Sequence, residues 1–235
     1  MIELDLALRR GEFSLDLALQ SPARALALFG PSGCGKTSTL LGIAGLLHPD
    51  RGRIAIDDRA LFDSDANIDL PPAHRNLGVV FQDARLFPHL SVRDNLRYGM
   101  PHAAAKHAFD DVVHLLELSA LLKRRSGQLS GGQIRRVAIG RALLRQPQAL
   151  LLDEPLANLH REARAEVLEH LRGLKRGFAL STILVSHQPD EVIALADSVA
   201  LIEDGRLAAL QSAEAFRSST AASGVPIAAN ACATG

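Results

Sequence analysis

The run Gly30-Pro31-Ser32-Gly33-Cys34-Gly35-Lys36-Thr37 follows the apolar stretch Ala25-Leu26-Ala27-Leu28-Phe29 directly and opens a helix-like stretch from Lys36 to Leu47. That spacing is suited to phosphate. Glycines let successive backbone N–H groups turn toward one anion, and a helix start adds partial positive charge. Lys36 can reach the outer phosphates of a triphosphate, and Thr37 offers a hydroxyl to Mg²⁺. The triphosphate cradle so read takes in Ser38 as well as Gly30 to Thr37. Cys34 admits two readings. One is a thiol activated by the helix start; the favoured one is a small residue tolerated beneath bound nucleotide.

A second chemical element is Ala149-Leu150-Leu151-Leu152-Asp153-Glu154, an apolar strand ending in two carboxylates. A parallel sheet presents its ligands at such strand ends, so Asp153 is the candidate Mg²⁺ partner, through water, and Glu154 the candidate base for an attacking water. The plainer reading is an acidic turn before Pro155. A third element is Leu129-Ser130-Gly131-Gly132-Gln133, ahead of a helix carrying Arg135, Arg136, Arg141 and Arg145, with Ser130 as its N-cap. This reads as another anion site. Two anion-reading helix starts in one chain require either two anions or two chains sharing each nucleotide.

The elements that must position these residues follow from periodicity. Ile2, Leu4, Leu6 and Leu8 alternate with other residues, as do Phe13, Leu15, Leu17 and Leu19, around Arg10-Gly11-Glu12, which predicts an antiparallel hairpin. Strand character recurs near Ile54 and Ile56, at Val79-Val80-Phe81 up to Gln82, at Ala149 to Leu152, Thr182 to Val185 and Val199 to Ile202. Helical spacing covers Ala103 to Leu118, Gly132 to Leu144, Arg161 to Lys175 and Pro189 to Ala196. An α/β core interrupted by a helical insertion results. From Ser218 to Gly235 the composition predicts a flexible tail.

With 235 residues, 47% of them hydrophobic, the chain can bury a sizeable core. Lys+Arg and Asp+Glu both number 26, so no bulk charge draws it to nucleic acid, and no nucleic-acid partner is expected. Cys34 and Cys232 form no metal or disulfide pattern. The start of the chain lacks signal-peptide character, and no apolar run approaches the roughly 20 residues a membrane helix needs.

Taken together, Gly30 to Thr37, Gln82, Leu129 to Gln133, Leu150 to Glu154 and His187 resemble the ordered motif set of ABC transporter ATPases, over residues 1 to about 215. The resemblance implies an α/β fold: a P-loop NTPase (RecA-like) core with an antiparallel β subdomain and an inserted α-helical subdomain. It divides the chain into 1–82 plus 147–217 as core, 83–146 as helical signature subdomain and 218–235 as tail. It further implies a homodimer in which ATP lies between the P-loop of one subunit and the Ser130 loop of the other. Gln82 then lines the Mg²⁺ and water site, and His187 contacts the γ-phosphate. A lone histidine after a strand would otherwise be a polar cap to the sheet. Phe13 is the candidate for stacking on adenine, with a core role equally open.

The run from Phe81 to Leu90, continued through Asn95 to Met100, is most similar to the branch that powers molybdate import. This implies peripheral attachment at the cytoplasmic face of the inner membrane, on an integral-membrane permease served by a periplasmic or extracellular solute-binding protein. Importers of sulfate, iron or polyamine would share every catalytic residue. A soluble ABC-type ATPase is a further alternative, but it would be expected to carry a fused second half or a basic insertion. Leu86, Phe87 and Leu90 form either a docking knob or part of the subdomain's own core. Self-regulation by bound molybdate is not expected, since the chain runs into a low-complexity tail. The loop after Glu154 ends in His160 where the family carries an aspartate. Histidine is expected there to cap the following helix poorly, with Asn158 as a partial substitute.

Overall fold

The computed structural model describes residues 1–101 and 106–222. Strands β1 (Ile2–Arg10) and β2 (Phe13–Ser21) form the expected hairpin, with Leu4 opposite Leu19 and Leu6 opposite Leu17. Gly11 turns it at φ 59°, in the left-handed region where glycine carries no Cβ penalty. The alternating leucines are the buried face. Strands β4 (Arg51–Ile56), β5 (Arg59–Asp63) and β6 (Ile68–Asp69) extend this antiparallel arm.

The remaining strands are β3 (Ala25–Phe29), β7 (Leu77–Val80), β8 (Ala149–Asp153), β9 (Ser181–Ser186), β10 (Ser198–Glu203) and β11 (Arg206–Ser212). Among the described residues all strands join one sheet of 11, in the order β6-β5-β4-β1-β2-β11-β10-β3-β9-β8-β7. From β10 to β7 the pairing is parallel. Those strands therefore release their following loops at one edge, where parallel sheets hold ligands. The loops leaving β3, β7, β8 and β9 are the ones that carry Lys36, Gln82, Glu154 and His187.

Both faces of the parallel half are covered, which is why its strands read as continuous apolar runs. Leu150 and Leu152 of β8 enter one core, with the helices α2 (Val92–Arg97), α4 (Gly131–Leu144) and α5 (Arg161–Gly177). Ala149 and Leu151, pointing the other way, enter a second core with the hairpin and α1 (Lys36–Ala44). Helix α3 (Lys106–Leu115) lies with α2 and α4 in the segment between β7 and β8, while α6 (Pro189–Leu195) follows β9.

Helix α1 is clamped at its far end. The Arg75 guanidinium, 1% exposed, donates to the carbonyls of Gly42 at 2.7 Å and Ile43 at 2.9 Å, and pairs with Asp69 at 2.9 Å. A cation on the last carbonyls is the favourable sign for a helix C-terminus. Gly45 closes the helix at φ 73°, and a Cβ there would lie 2.6 Å from Arg75 Nε.

Several boundaries differ from the sequence reading. Helix α1 stops at Ala44 rather than Leu47, because Gly45 takes the left-handed cap. Strand β7 ends at Val80, leaving Gln82 in a loop. The expected tail is helical in its first part, since α7 (Ala213–Ala222) continues through Ser218 to Ala222. Phe216 anchors it, edge-on to Phe29 at 4.9 Å, and Thr220 is buried. The rest of that segment, with Cys232, lies outside the described residues, as does the start of the helix expected from Ala103.

Candidate functional site

The glycine-rich loop is built without room for side chains. A Cβ on Gly30 would stand 2.2 Å from the Ile202 carbonyl oxygen, and one on Gly35 would stand 2.9 Å from Leu15 Cδ1 and 3.1 Å from Phe13 Cζ. Gly35 caps α1 at φ 107°. The turn between β10 and β11 braces the loop from outside: Gly205 N donates to the Cys34 carbonyl at 3.1 Å and its own carbonyl accepts from Asp16 N at 2.8 Å. Pro31, Ser32, Gly33 and Thr37 stay exposed, Ser38 is half-buried, and Cys34 is buried. Phe13, half-buried, abuts the loop at Gly35 while packing on the hairpin core, so it keeps both of its readings.

Lys36 is only 5% exposed, and its ammonium donates to the Gly30 carbonyl at 2.8 Å and the Pro31 carbonyl at 2.7 Å. The charge is thus held inside the loop by neutral acceptors. Thr37 Oγ1 donates to Asp153 Oδ1 at 3.2 Å, which joins the loop to the end of β8. Burial pushes the Asp153 carboxyl above its ordinary range, opposed by the Thr37 hydrogen bond; the neighbouring Glu154 charge raises it further, while Lys36 and Arg135 pull it down. A cation beside Thr37 and Asp153 would relieve that burial. Hard oxygen donors of this kind suit Mg²⁺ with phosphate and water completing its shell. Among the described residues no cluster of three or more His, Cys, Asp or Glu is placed to hold a metal alone.

Glu154 adopts φ 45°, a left-handed conformation costly for a side-chain-bearing residue, and its N–H donates to the Val185 carbonyl at 3.0 Å. The carboxylate so turned meets His187, with Nδ1 2.8 Å from Glu154 Oε1. Both line a polar cleft of about 450 Å³ with Ser32, Gln82, Arg164 and Glu191. Gln82 is tied to the helical insertion, because Arg135 of α4 donates to the carbonyls of Phe81 at 2.8 Å and Gln82 at 2.6 Å.

Ser130 caps α4 as expected, accepting from Gln133 N at 3.3 Å while the Gln133 side chain accepts from Ser130 N at 3.1 Å. Ser130 and Gly131 are exposed, and neither lines the cleft. Gly132 is buried, where a Cβ would lie 3.0 Å from that of Ala163. The α4 arginines do not reinforce this helix start as an anion site. Arg135 and Arg136 are buried, Arg136 pairing with Glu166 at 2.9 Å, and Arg141 donates to the Ala84 carbonyl at 3.2 Å. Helical spacing turns these positions inward, and a long stem can bury while its head finds carbonyls.

His160, and not Asn158, supplies the helix cap, through a long contact. It is the N-cap of α5, its Nδ1 accepting from Ala163 N at 3.4 Å, whereas Asn158 takes a left-handed backbone at φ 60°. Ser186, Arg164 and Glu191 were not singled out by the sequence. The acidic first turn after Pro189 was visible there, but its burial was not.

The family model described as ABC transporter matches residues 14–157. The chain is 52% identical over 212 residues to the molybdenum import ATP-binding protein ModC of Paramagnetospirillum magneticum, covering 89% of this chain and 58% of that protein. It is 49% identical over 210 residues to the protein of the same name from Salmonella typhimurium, covering 89% and 59%. The chain thus spans just under three fifths of these relatives. Among solved structures, a nucleotide-free ATP-binding cassette from an ABC transporter superposes with TM-score 0.79 at 23% identity, covering 94% of each chain. A dimeric ATP-binding cassette bound to ADP and Pi does so with TM-score 0.74 at 25% identity, covering 91% of this chain and 99% of that one.

Proposed function

We propose that this chain, which belongs to the ABC transporter family, binds ATP with Mg²⁺ and hydrolyses it as one half of a head-to-tail homodimer that drives molybdate import. The observation carrying hydrolysis is the Glu154–His187 pair, 2.8 Å apart in a polar cleft beside the loop that holds Lys36. Thr37, Asp153 and Gln82 would hold Mg²⁺, which would supply positive charge to the phosphate oxygens. Lys36 and the backbone N–H groups from Gly33 to Ser38 bind the phosphates. Glu154 accepts the proton of the attacking water, while His187 orients that carboxylate and offers a contact to the γ-phosphate. Gln82 orients the water and, through Arg135, links it to the helical signature subdomain of residues 83–146.

The dimer is supported by the exposed, capped helix start at Ser130, which lies outside the cleft of its own chain. An ADP-bound neighbour described as dimeric accords with it. In this reading Ser130, Gly131, Gly132 and Gln133 address the nucleotide held by the other copy. No helix among the described residues is long and apolar enough to cross a membrane. In this reading an integral-membrane permease supplies the path, with this chain peripheral on the cytoplasmic face and a solute-binding protein acting indirectly, as the import names of its relatives suggest. The half-buried Leu86, Phe87 and Leu90, with Phe87 against the 55% exposed Tyr98 at 4.2 Å, offer the permease an aromatic edge.

Molybdate as cargo rests on the relatives' names, since no residue of the cleft selects a transported solute. The test is Mg²⁺-dependent ATPase activity of the chain reconstituted in liposomes with its permease and binding protein. Stimulation by molybdate over sulfate, iron or polyamine is expected. Stimulation by one of the latter alone would reassign the cargo, and no hydrolysis at all would overturn the reading.

A further inference from the structure

Glu191, in the first turn of α6, is a carboxylate only 3% exposed that none of the steps above uses. Its two oxygens go to different elements. Oε2 accepts from the Ser186 hydroxyl at 2.7 Å, and Oε1 pairs with Arg164 of α5 at 3.2 Å. Ser186 Oγ in turn accepts from Gln188 N at 3.0 Å. The hydroxyl therefore spans His187, bonded to the residue on its far side, and its single proton is directed at Glu191. Burial pushes the Glu191 carboxyl above its ordinary range, while Ser186, Arg164 and His187 oppose this. An acceptor that deeply buried keeps its place only through such partners.

We infer that Glu191 is a positioning residue for the proposed hydrolysis: by fixing the Ser186 hydroxyl it sets the turn that aims His187 at Glu154. Through Arg164 it couples that aim to α5, the helix capped by His160. The inference rests on the functional reading above. A merely structural carboxylate would stabilise the β9–α6 junction with no special relation to His187. A positioning carboxylate acts through His187 and has nothing to act on once that ring is gone.

The experiment measures ATPase turnover, ATP affinity with a fluorescent ATP analogue, and melting temperature. It compares the full chain with Glu191→Ala, Glu191→Gln, His187→Ala and both double variants. Glu191→Ala should lower kcat between about 10- and 100-fold, the usual cost of a misaimed group, with ATP affinity within about twofold of wild type. Glu191→Gln should recover part of the rate, because its amide oxygen still accepts from Ser186 while the Arg164 pair is lost. In the His187→Ala background either change should cost no more than about twofold further, since residues acting as a unit are non-additive. A kcat within twofold of wild type for the folded Glu191 variants overturns the inference, as does a loss repeated in full without His187. Glu191→Gln, nearly isosteric, carries both criteria if Glu191→Ala unfolds. A wild-type chain without ATPase activity would instead sink the functional reading itself.

Discussion

His187 Nδ1 lies 2.8 Å from Glu154 Oε1, although the two residues sit on loops leaving different strands, β9 and β8. The contact exists because β8 and β9 are parallel neighbours, with Asp153 opposite Val185, so their C-terminal loops emerge side by side. The left-handed backbone of Glu154 then turns its carboxylate toward the histidine. A group held this way is oriented before any substrate arrives, as a general base requires.

Glu154→Gln is therefore expected to slow turnover by at least about 100-fold, since a positioned base contributes 10²–10⁴. ATP binding should persist, because Lys36 and the loop N–H groups are untouched. Single-turnover hydrolysis and equilibrium ATP binding, measured together, check this. Near-normal turnover would remove Glu154 from the role of base.

The separation of Ser130 from its own cleft leads to a mixing experiment. A Lys36→Ala chain and a Ser130→Arg chain should each be inactive alone and recover activity together, because the heterodimer retains one intact composite site. Replacing the Ser130 cap costs about 1 kcal/mol of helix stability, which a melting curve would detect. Verified heterodimers of folded variants that neither bind nucleotide at the interface nor hydrolyse it would count against a shared site.

Asp153 offers a stability test free of nucleotide. Burial raises its carboxyl above the unfolded value of 3.8, so between that value and the raised one the folded chain binds more proton than the unfolded chain. The stability linked to that proton is complete below the unfolded value and is lost as pH rises through the raised one. Asp153→Asn cannot ionise, and its amide oxygen still accepts from Thr37. In the absence of Mg²⁺ and ATP the variant should be more stable than wild type at pH 7 by about 0.5–2 kcal/mol, as is common when a functional site is relaxed. The advantage should shrink toward pH 4 in urea melts. A constant advantage across that range would show that ionisation of Asp153 does not set it.

Much of this site was legible because its residues follow strands that announce themselves. The runs Ala25–Phe29 and Ala149–Asp153 are apolar on both faces, and the chemistry begins where they end. Strand β11 gave no such signal: from Arg206 to Ser212 its residues are half-buried or exposed, so alternation conveys little. Helix α7 was hidden by small residues, with Phe216 its main apolar anchor. The α4 arginines show the opposite failure. Their charge suggested a surface for anions, yet Arg135 and Arg136 are buried on carbonyls and a carboxylate, partners distant in sequence. Glu191 was unreadable for the same reason, since its role depends on Arg164 and Ser186.

His160 provides the last prediction. Its Nδ1 caps α5 by accepting the Ala163 N–H at 3.4 Å, a long hydrogen bond. An aspartate at this position would accept from the same N–H with a charged oxygen and add the negative charge that a helix start favours. His160→Asp should therefore raise stability by about 1 kcal/mol. Because α5 also carries Arg164, the partner of Glu191, ATPase activity should rise with it. Thermal melts and ATPase rates of the two chains check this. No gain in melting temperature would show that the 3.4 Å contact already supplies all that the helix start requires, and a gain in stability without one in activity would uncouple the cap from the site.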